Sequence, residues 1–307
     1  MSGWAPRTRS GYGSAIKRYL AFATTYNLEP LPLSEPILLR YIAHLNLDQL
    51  APATIKNYLS ALRAWVVSLG LEEPRIWTPR VQLACRAVGR AHPPPRQPLP
   101  IGFDLLSTMI RMLSSSHDHL LIASALSLQY FACLRASELC SDLSLSIVPS
   151  RSDISFSQSG SSLTMLYSCR TSKTAHHGFQ VHVGCSGNPI CAPCIMFHFF
   201  SRFPAEPASP LFRFSSGTLL SYTVYNSIIK RLVQLAGLDP SLYSSHSVRA
   251  GAATQAARAG LGPESIKRLG RWRSQAYMVY LRPPPEAYAA FAPALTSNPP
   301  STCSARP

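Results

Sequence analysis

Three short segments of this 307-residue chain place reactive side chains at telling spacings. The first is Cys133-Leu134-Arg135-Ala136-Ser137-Glu138-Leu139, with Arg135 and Glu138 three apart where a strongly apolar run ends. A guanidinium and a carboxylate at that spacing fit a helix end facing a cleft, and equally a plain structural ion pair. The second is His246-Ser247-Val248-Arg249-Ala250-Gly251-Ala252-Ala253-Thr254. Residues i and i+3 share one side of a helix, so His246 and Arg249 offer a titratable imidazole and a charged fork to one phosphate. A helix cap plus a surface arginine would look the same. The third runs from Gly270-Arg271-Trp272 through Tyr277 to Tyr280-Leu281-Arg282. Tyrosine is a poor nucleophile at neutral pH because its pKa is about 10. Cations beside it favour the phenolate, so a tyrosine among arginines can attack, although aromatic core packing explains it too.

The formal net charge is +15 with only 14 Asp and Glu, and the isoelectric point is ≈ 9.8. A basic chain with a large apolar fraction reads as a folded polyanion binder, nucleic acid first. Ribosomal or membrane-surface proteins share that charge. The most apolar stretch, Leu120–Leu134, is too short for a membrane span and contains Gln129. The first residues lack the pattern of a signal peptide, and eight irregularly spaced cysteines suggest reduced thiols, hence an intracellular setting.

The elements that must position these residues fall into two domains. Residues 92–100 hold five prolines and read as an extended linker. Before it, residues 1–91 read as a basic four-helix module. Ile16, Leu20, Ala23 and Tyr26 mark the first helix; Ser34-Glu35-Pro36 starts the second; Ile55, Leu59, Leu62, Val66 and Leu69 mark the third, closed by Gly70; the fourth follows Thr78-Pro79. Lys17, Arg18, Lys56 and Arg63 lie off the apolar faces and are candidates for contact with a DNA backbone. Residues 101–285 form the second domain. Helices are expected at 102–114, 117–134, 190–201, 221–236, 246–259 and 263–269, with a short one around Tyr280, and strands at Asp153–Ser157, Leu163–Ser168 and Phe179–Val183. The fold class is therefore mainly α with a small antiparallel β-sheet, an α+β chain. Residues 286–307 read as a mostly disordered tail, with one helical turn allowed at 286–292.

Cys185, Cys191, Cys194 and His198 make a Cys-x5-Cys-x2-Cys-x3-His set, whose ligand types suit tetrahedral zinc. Their place in an apolar helical stretch favours ordinary buried thiols instead, so no metal is expected. His176, His177 and His182 read as loop and strand residues. No Gly-x-x-x-x-Gly-Lys loop for a nucleotide occurs, and no cofactor is expected.

The order Arg-x-x-Glu, a lysine in a small sheet, His-x-x-Arg, Gly-Arg-Trp and Tyr resembles the tyrosine recombinase (phage integrase) family along nearly the whole chain. Ser172-Lys173-Thr174, Gly270-Arg271-Trp272, Ala276-Tyr277 and Tyr280-Leu281-Arg282 look especially like the recombinases of eukaryotic DIRS-group and crypton mobile elements. The resemblance implies a helical, SAM-like core-binding domain followed by the recombinase catalytic domain, the two clamping double-stranded DNA. It implies that Arg135 and Arg249 bind the scissile phosphate, Lys173 protonates the leaving 5′ oxygen, His246 assists proton movement, Glu138 supports the site, and Tyr280 is the nucleophile. Trp272 is similar to the tryptophan that replaces histidine in some members. Many members carry histidine directly after the glycine, where Arg271 stands here, so either Arg271 or Trp272 is a candidate to meet the phosphate; Tyr277 is the rival nucleophile. The implied reaction cleaves and rejoins DNA strands through a 3′-phosphotyrosyl bond without metal or ATP, with four protomers on two sites, in the nucleus, and with no membrane or small-molecule substrate. A captured relic that only binds DNA, and a type IB topoisomerase, are the competing readings.

Overall fold

The computed structural model describes residues 6–93, 98–142, 147–160, 162–170 and 177–280. Lys173 and the tail from 281 fall outside them, and of Tyr280 only the backbone is described. The chain divides into two compact units, residues 1–95 and 96–307.

The first unit is four helices: α1 (Pro6–Thr25), α2 (Glu35–Leu47), α3 (Pro52–Ser68) and α4 (Pro79–Ala91). The last three each carry proline in the first turn, where a missing N–H costs nothing. At α4 the Thr78 hydroxyl accepts from the Val81 N–H at 3.3 Å. Leu69 ends α3 and Gly70 follows at φ 75°, a left-handed stop that a Cβ would disfavour. One face of each helix meets in a core of Tyr19, Phe22, Tyr41, Leu45, Leu59 and Leu62. The apolar face of α1 differs from the expected one: Leu20 and Tyr26 are 38% and 52% exposed, while Tyr19 and Phe22 are buried. The buried stripe runs 15, 16, 19, 22, 23. It turns toward the aromatics because they bury the most area, and the Tyr19 hydroxyl reaches the Pro30 carbonyl at 2.9 Å.

The second unit contains α5 (Phe103–Arg111), α6 (His117–Phe131), strands β1 (Ile154–Ser159), β2 (Ser162–Cys169) and β3 (Phe179–Gly184), then α7 (Ala192–Arg202), α8 (Tyr222–Leu235), α9 (Ser245–Arg258) and α10 (Pro263–Gly270). A 3₁₀ segment, Gln275–Tyr280, ends the described chain. The sheet is antiparallel in the order β1-β2-β3, with Tyr167 opposite Val181 and Met165 opposite Val183. Met165, Tyr167 and Cys169 alternate inward on β2, as a half-buried strand requires, and α7 packs on β2 and β3.

α6 is the axis of this unit. Every residue from Leu121 to Tyr130 is buried, which explains its unbroken apolar run. The lone amide in that run, Gln129, donates to the Ser245 and Leu134 carbonyls at 3.0 and 3.3 Å and accepts from Tyr225 at 2.7 Å. It thereby ties the end of α6 to the start of α9. Gly251 lets α9 pass against the backbone at Ile101: a Cβ there would stand 1.7 Å from the Ile101 carbonyl oxygen. No described helix is long and apolar enough to cross a membrane.

Candidate active site

The site is built where α6 stops. Cys133 adopts a left-handed conformation, φ 47°, and the Leu134 N–H returns to the Gln129 carbonyl at 2.9 Å. The chain then turns through a 3₁₀ segment, Ala136–Glu138. Glu138 folds back on that turn: its carboxylate accepts from the Arg135 backbone N–H at 2.8 Å and from the Arg135 guanidinium at 2.7 Å. Its own carbonyl accepts from the Tyr167 hydroxyl of β2 at 2.5 Å, which fixes the turn to the sheet.

The Glu138 side chain is wholly buried and lies among three arginines. Beyond Arg135, Arg271 donates to it at 3.3 Å and Arg249 stands 3.8 Å away. An isolated carboxylate at that depth would cost far more than its packing returns, so the guanidiniums are the condition of its burial. One negative and three positive charges leave the cluster with an excess of two, the electrostatics of an anion site.

Arg249 comes from the second turn of α9 and is only 2% exposed. It donates to the Cys133 carbonyl at 2.8 Å and to the Gly270 carbonyl, and its guanidinium lies 4.5 Å from the centre of the Trp272 ring. These two bonds use two of its five N–H donors. Burial, more than the neighbouring charges, lowers its pKa, although an arginine stays protonated in such a site. His246 sits one turn earlier, in the first turn of α9, whose start is capped by the Ser244 hydroxyl accepting from the His246 N–H at 3.3 Å. The residue is exposed at the surface, and its pKa is lowered first by partial dehydration and then by the charges of Arg249 and Arg135. It is therefore neutral at pH 7 and able to take up a proton.

Arg271 and Trp272 are organised by the backbone between them and Gly270. Arg271 takes a left-handed conformation, φ 55° and ψ 39°, at the end of α10. That turns its side chain inward, onto the carbonyls of Ala132, Leu269 and Cys133 at 3.1–3.2 Å and over the Phe179 ring at 4.3 Å. Arg271 thus joins α6, α10 and β3. Gly270 is required because the Trp272 ring packs where a Cβ would be, 1.8 Å away. Trp272 rests between Arg249 and the Tyr277 ring, whose centre lies 6.1 Å from its own. An open basic cavity of ≈ 490 Å³ adjoins this turn, lined by Lys267, Arg268, Arg271, Trp272, Arg273 and Glu264.

The structure brings Arg135, Glu138, His246, Arg249, Arg271 and Trp272 into one cluster. The two tyrosines share one 3₁₀ segment, Gln275–Tyr280. Tyr277 is 3% exposed in a small apolar cluster with Ala253 and Ile266, while Tyr280 ends the 3₁₀ segment. The readings of Lys173 as the proton donor and of the Tyr280 side chain as nucleophile fall on groups outside the described residues. In the helical unit Lys17 and Lys56 are exposed, Arg18 pairs with Asp48 at 2.7 Å, and Arg63 pairs with Glu73. Sequence reasoning missed the supports: the Cys133 carbonyl shared by Arg249 and Arg271, and Phe179 beneath Arg271. Gln129, an amide alone in an apolar run, was the available signal for such a polar crosslink.

The reading of Cys185, Cys191 and Cys194 as ordinary buried thiols needs correction. Cys191 is buried, but Cys185 is half-buried and Cys194, in the first turn of α7, is exposed.

No family model and no curated protein matches the chain. Solved structures do. The Tn1549 transposon integrase in complex with circular intermediate DNA superimposes with a TM-score of 0.62 at 15% identity, covering 94% of each chain. The XerH site-specific recombinase bound to palindromic difH substrate, a post-cleavage complex, gives 0.61 at 14% identity, covering 91% of this chain and 76% of that one. A point-substituted form of the Tn1549 integrase, also in complex with a circular intermediate DNA, gives 0.63 at 14% identity over 95% of each chain. The ten described α-helices and the three-stranded antiparallel sheet are thus arranged in the tyrosine recombinase fold.

Proposed function

We propose that this chain is a tyrosine recombinase that cleaves and rejoins DNA strands at specific sites. One observation carries the reading: Arg135, Glu138, His246 and Arg249, from segments more than a hundred residues apart, form one positively charged cluster on the fold that the DNA-bound integrase and recombinase share. In this reading Arg135 and Arg249 hold the non-bridging oxygens of the scissile phosphate, a planar match that preorganises charge without a metal ion. Tyr280 attacks phosphorus, the bond to the 5′ oxygen breaks, Lys173 protonates that oxygen, and His246 takes the tyrosine proton. The 3′-phosphotyrosyl bond conserves the phosphodiester energy, so a 5′ hydroxyl of a second duplex reverses the step and exchanges strands. Glu138 and Trp272 position the arginines, and Lys17, Arg18, Lys56 and Arg63 add contacts to the DNA backbone. Arg271 acts through the scaffold, since its donors point to internal carbonyls.

We extend this to residues 1–91 as the core-binding domain and 101–285 as the catalytic domain, working as a homotetramer on two sites in the nucleus, on behalf of a mobile element of the DIRS or crypton kind. A second reading, a relic that binds DNA without cutting it, draws on one feature: Arg249 is buried and both its terminal nitrogens already serve carbonyls. Nicked suicide duplexes from the DNA flanking the gene separate the two. A covalent protein–DNA band on a denaturing gel, lost in Tyr280→Phe and kept in Tyr277→Phe, supports the recombinase. Salt-sensitive binding with no covalent band supports the relic.

A further inference from the structure

We propose that Cys185, Cys191 and Cys194 form a zinc site that staples the end of β3 to the start of α7. Cys185 directly follows β3, Cys191 is the residue before α7, and Cys194 lies in its first turn. Their sulfurs converge: Cys185 Sγ is 3.5 Å from Cys194 Sγ and 3.6 Å from Cys191 Sγ, and all three lie within 4.8 Å of one another. A tetrahedral ion with zinc–sulfur bonds of about 2.3 Å sets sulfurs about 3.8 Å apart, so two of the separations already approach the edge of that tetrahedron. A disulfide needs about 2.05 Å, well short of these distances.

The backbone is arranged around sulfur as well. The Gly187 N–H points to Cys185 Sγ and the Ser186 N–H to Cys191 Sγ, each at 3.4 Å. Gly187, at φ 66°, supplies the left-handed turn that brings the loop round. Such N–H contacts favour the anionic sulfur that a metal requires. Packing gives no reason for the trio, because Cys194 is exposed and Cys185 half-buried. His198 stands outside the cluster, so among the described residues three thiolates hold the ion and water takes the fourth position. Binding exchanges thiol protons for Zn²⁺ and closes the 185–191 loop onto a helix that packs against the sheet. Lys173 falls between β2 and β3 in the sequence, so the staple also anchors the strand that follows it.

The inference is independent of the DNA chemistry and is tested without DNA. The full chain is purified under a phosphine reductant with zinc in the medium, and bound metal is measured by elemental analysis. About one zinc per chain is expected, held by three protein ligands. Co²⁺ added to metal-free protein should give thiolate charge-transfer bands and intense tetrahedral d–d bands. Cys194→Ser, at an exposed position that the fold tolerates, should weaken zinc binding by at least about tenfold, a loss that removing a mere supporting partner can already reach. Cys85→Ser, in the other unit, should leave it unchanged. A folded, reduced chain without zinc or cobalt bands, or zinc content indifferent to Cys194→Ser, would each overturn it.

Discussion

Replacing Glu138 by Gln keeps the shape of the buried side chain and removes its charge. The partner most deeply committed is Arg249, 2% exposed and 3.8 Å from the carboxylate. Two unit charges at that separation attract by about 4 kcal/mol at an effective dielectric of about 20. Arg135 and Arg271 are about one-fifth exposed, so solvent screens their share. Part of the loss is offset, because an amide costs less to bury than a carboxylate. The net destabilisation should be about 3 kcal/mol, the scale of breaking a buried ion pair by removing one partner. For a unit of this size that lowers Tm by about 6–12 °C. Urea unfolding of the full chain, followed by circular dichroism, should show unfolding of the unit that holds Glu138 shifted to lower urea with an unchanged slope. In the background of Arg249→Met the same substitution should cost less, since the charge that needs it is gone. A loss below about 1 kcal/mol, or equal costs in both backgrounds, would refute the claim that Glu138 holds this cluster together.

Three further outcomes follow from particular contacts. Gly251→Ala drives a Cβ to 1.7 Å from the Ile101 carbonyl oxygen, so the backbones must part; the second unit should lose about 3 kcal/mol or more in the same urea assay. His246 has a folded pKa lowered below its usual 6.5, so the fold favours the neutral ring. Its contribution to stability is present above that pH and is lost as pH falls through 6.5 toward the folded value, and His246→Gln should flatten this part of the stability–pH curve. Lys17→Ala and Lys56→Ala, at exposed positions, should each reduce the slope of log affinity against log salt by about 1 in duplex binding, with little change in stability.

Much of the fold was legible because its periods are regular. The strands at 154–159, 162–169 and 179–184 show the expected alternation, and proline or Ser/Thr punctuation marks most helix starts within two residues. The face of α1 was harder. Leu20 and Tyr19 sit on adjacent arcs of the same helix, and only the neighbouring Tyr41 decides which turns inward, its ring 5.1 Å from that of Tyr19. Within the site, sequence spacing located Arg135, Glu138, His246 and Arg249 but not their division of labour. That depends on left-handed residues at Cys133 and Arg271, which an L-residue rarely adopts and which no side-chain pattern announces. Arg271, one of two candidates with Trp272 to meet a phosphate, turns its side chain inward for this reason. The cysteine trio was visible as a Cys-x5-Cys-x2-Cys set, but the convergence of its three sulfurs was not, because they straddle a strand end and a helix start whose relative placement the spacing does not give.

The central claim is that Tyr280 forms a phosphotyrosyl bond within the Arg135–Arg249 cluster. The most direct measurement is mass spectrometry of the protein–DNA adduct after protease and nuclease digestion, formed without added Mg²⁺ or ATP. The account predicts a nucleotide joined through its 3′ phosphate to Tyr280, with no such peptide in Arg135→Ala. A nucleotide on Tyr277, or an adduct that persists in Tyr280→Phe, would contradict it.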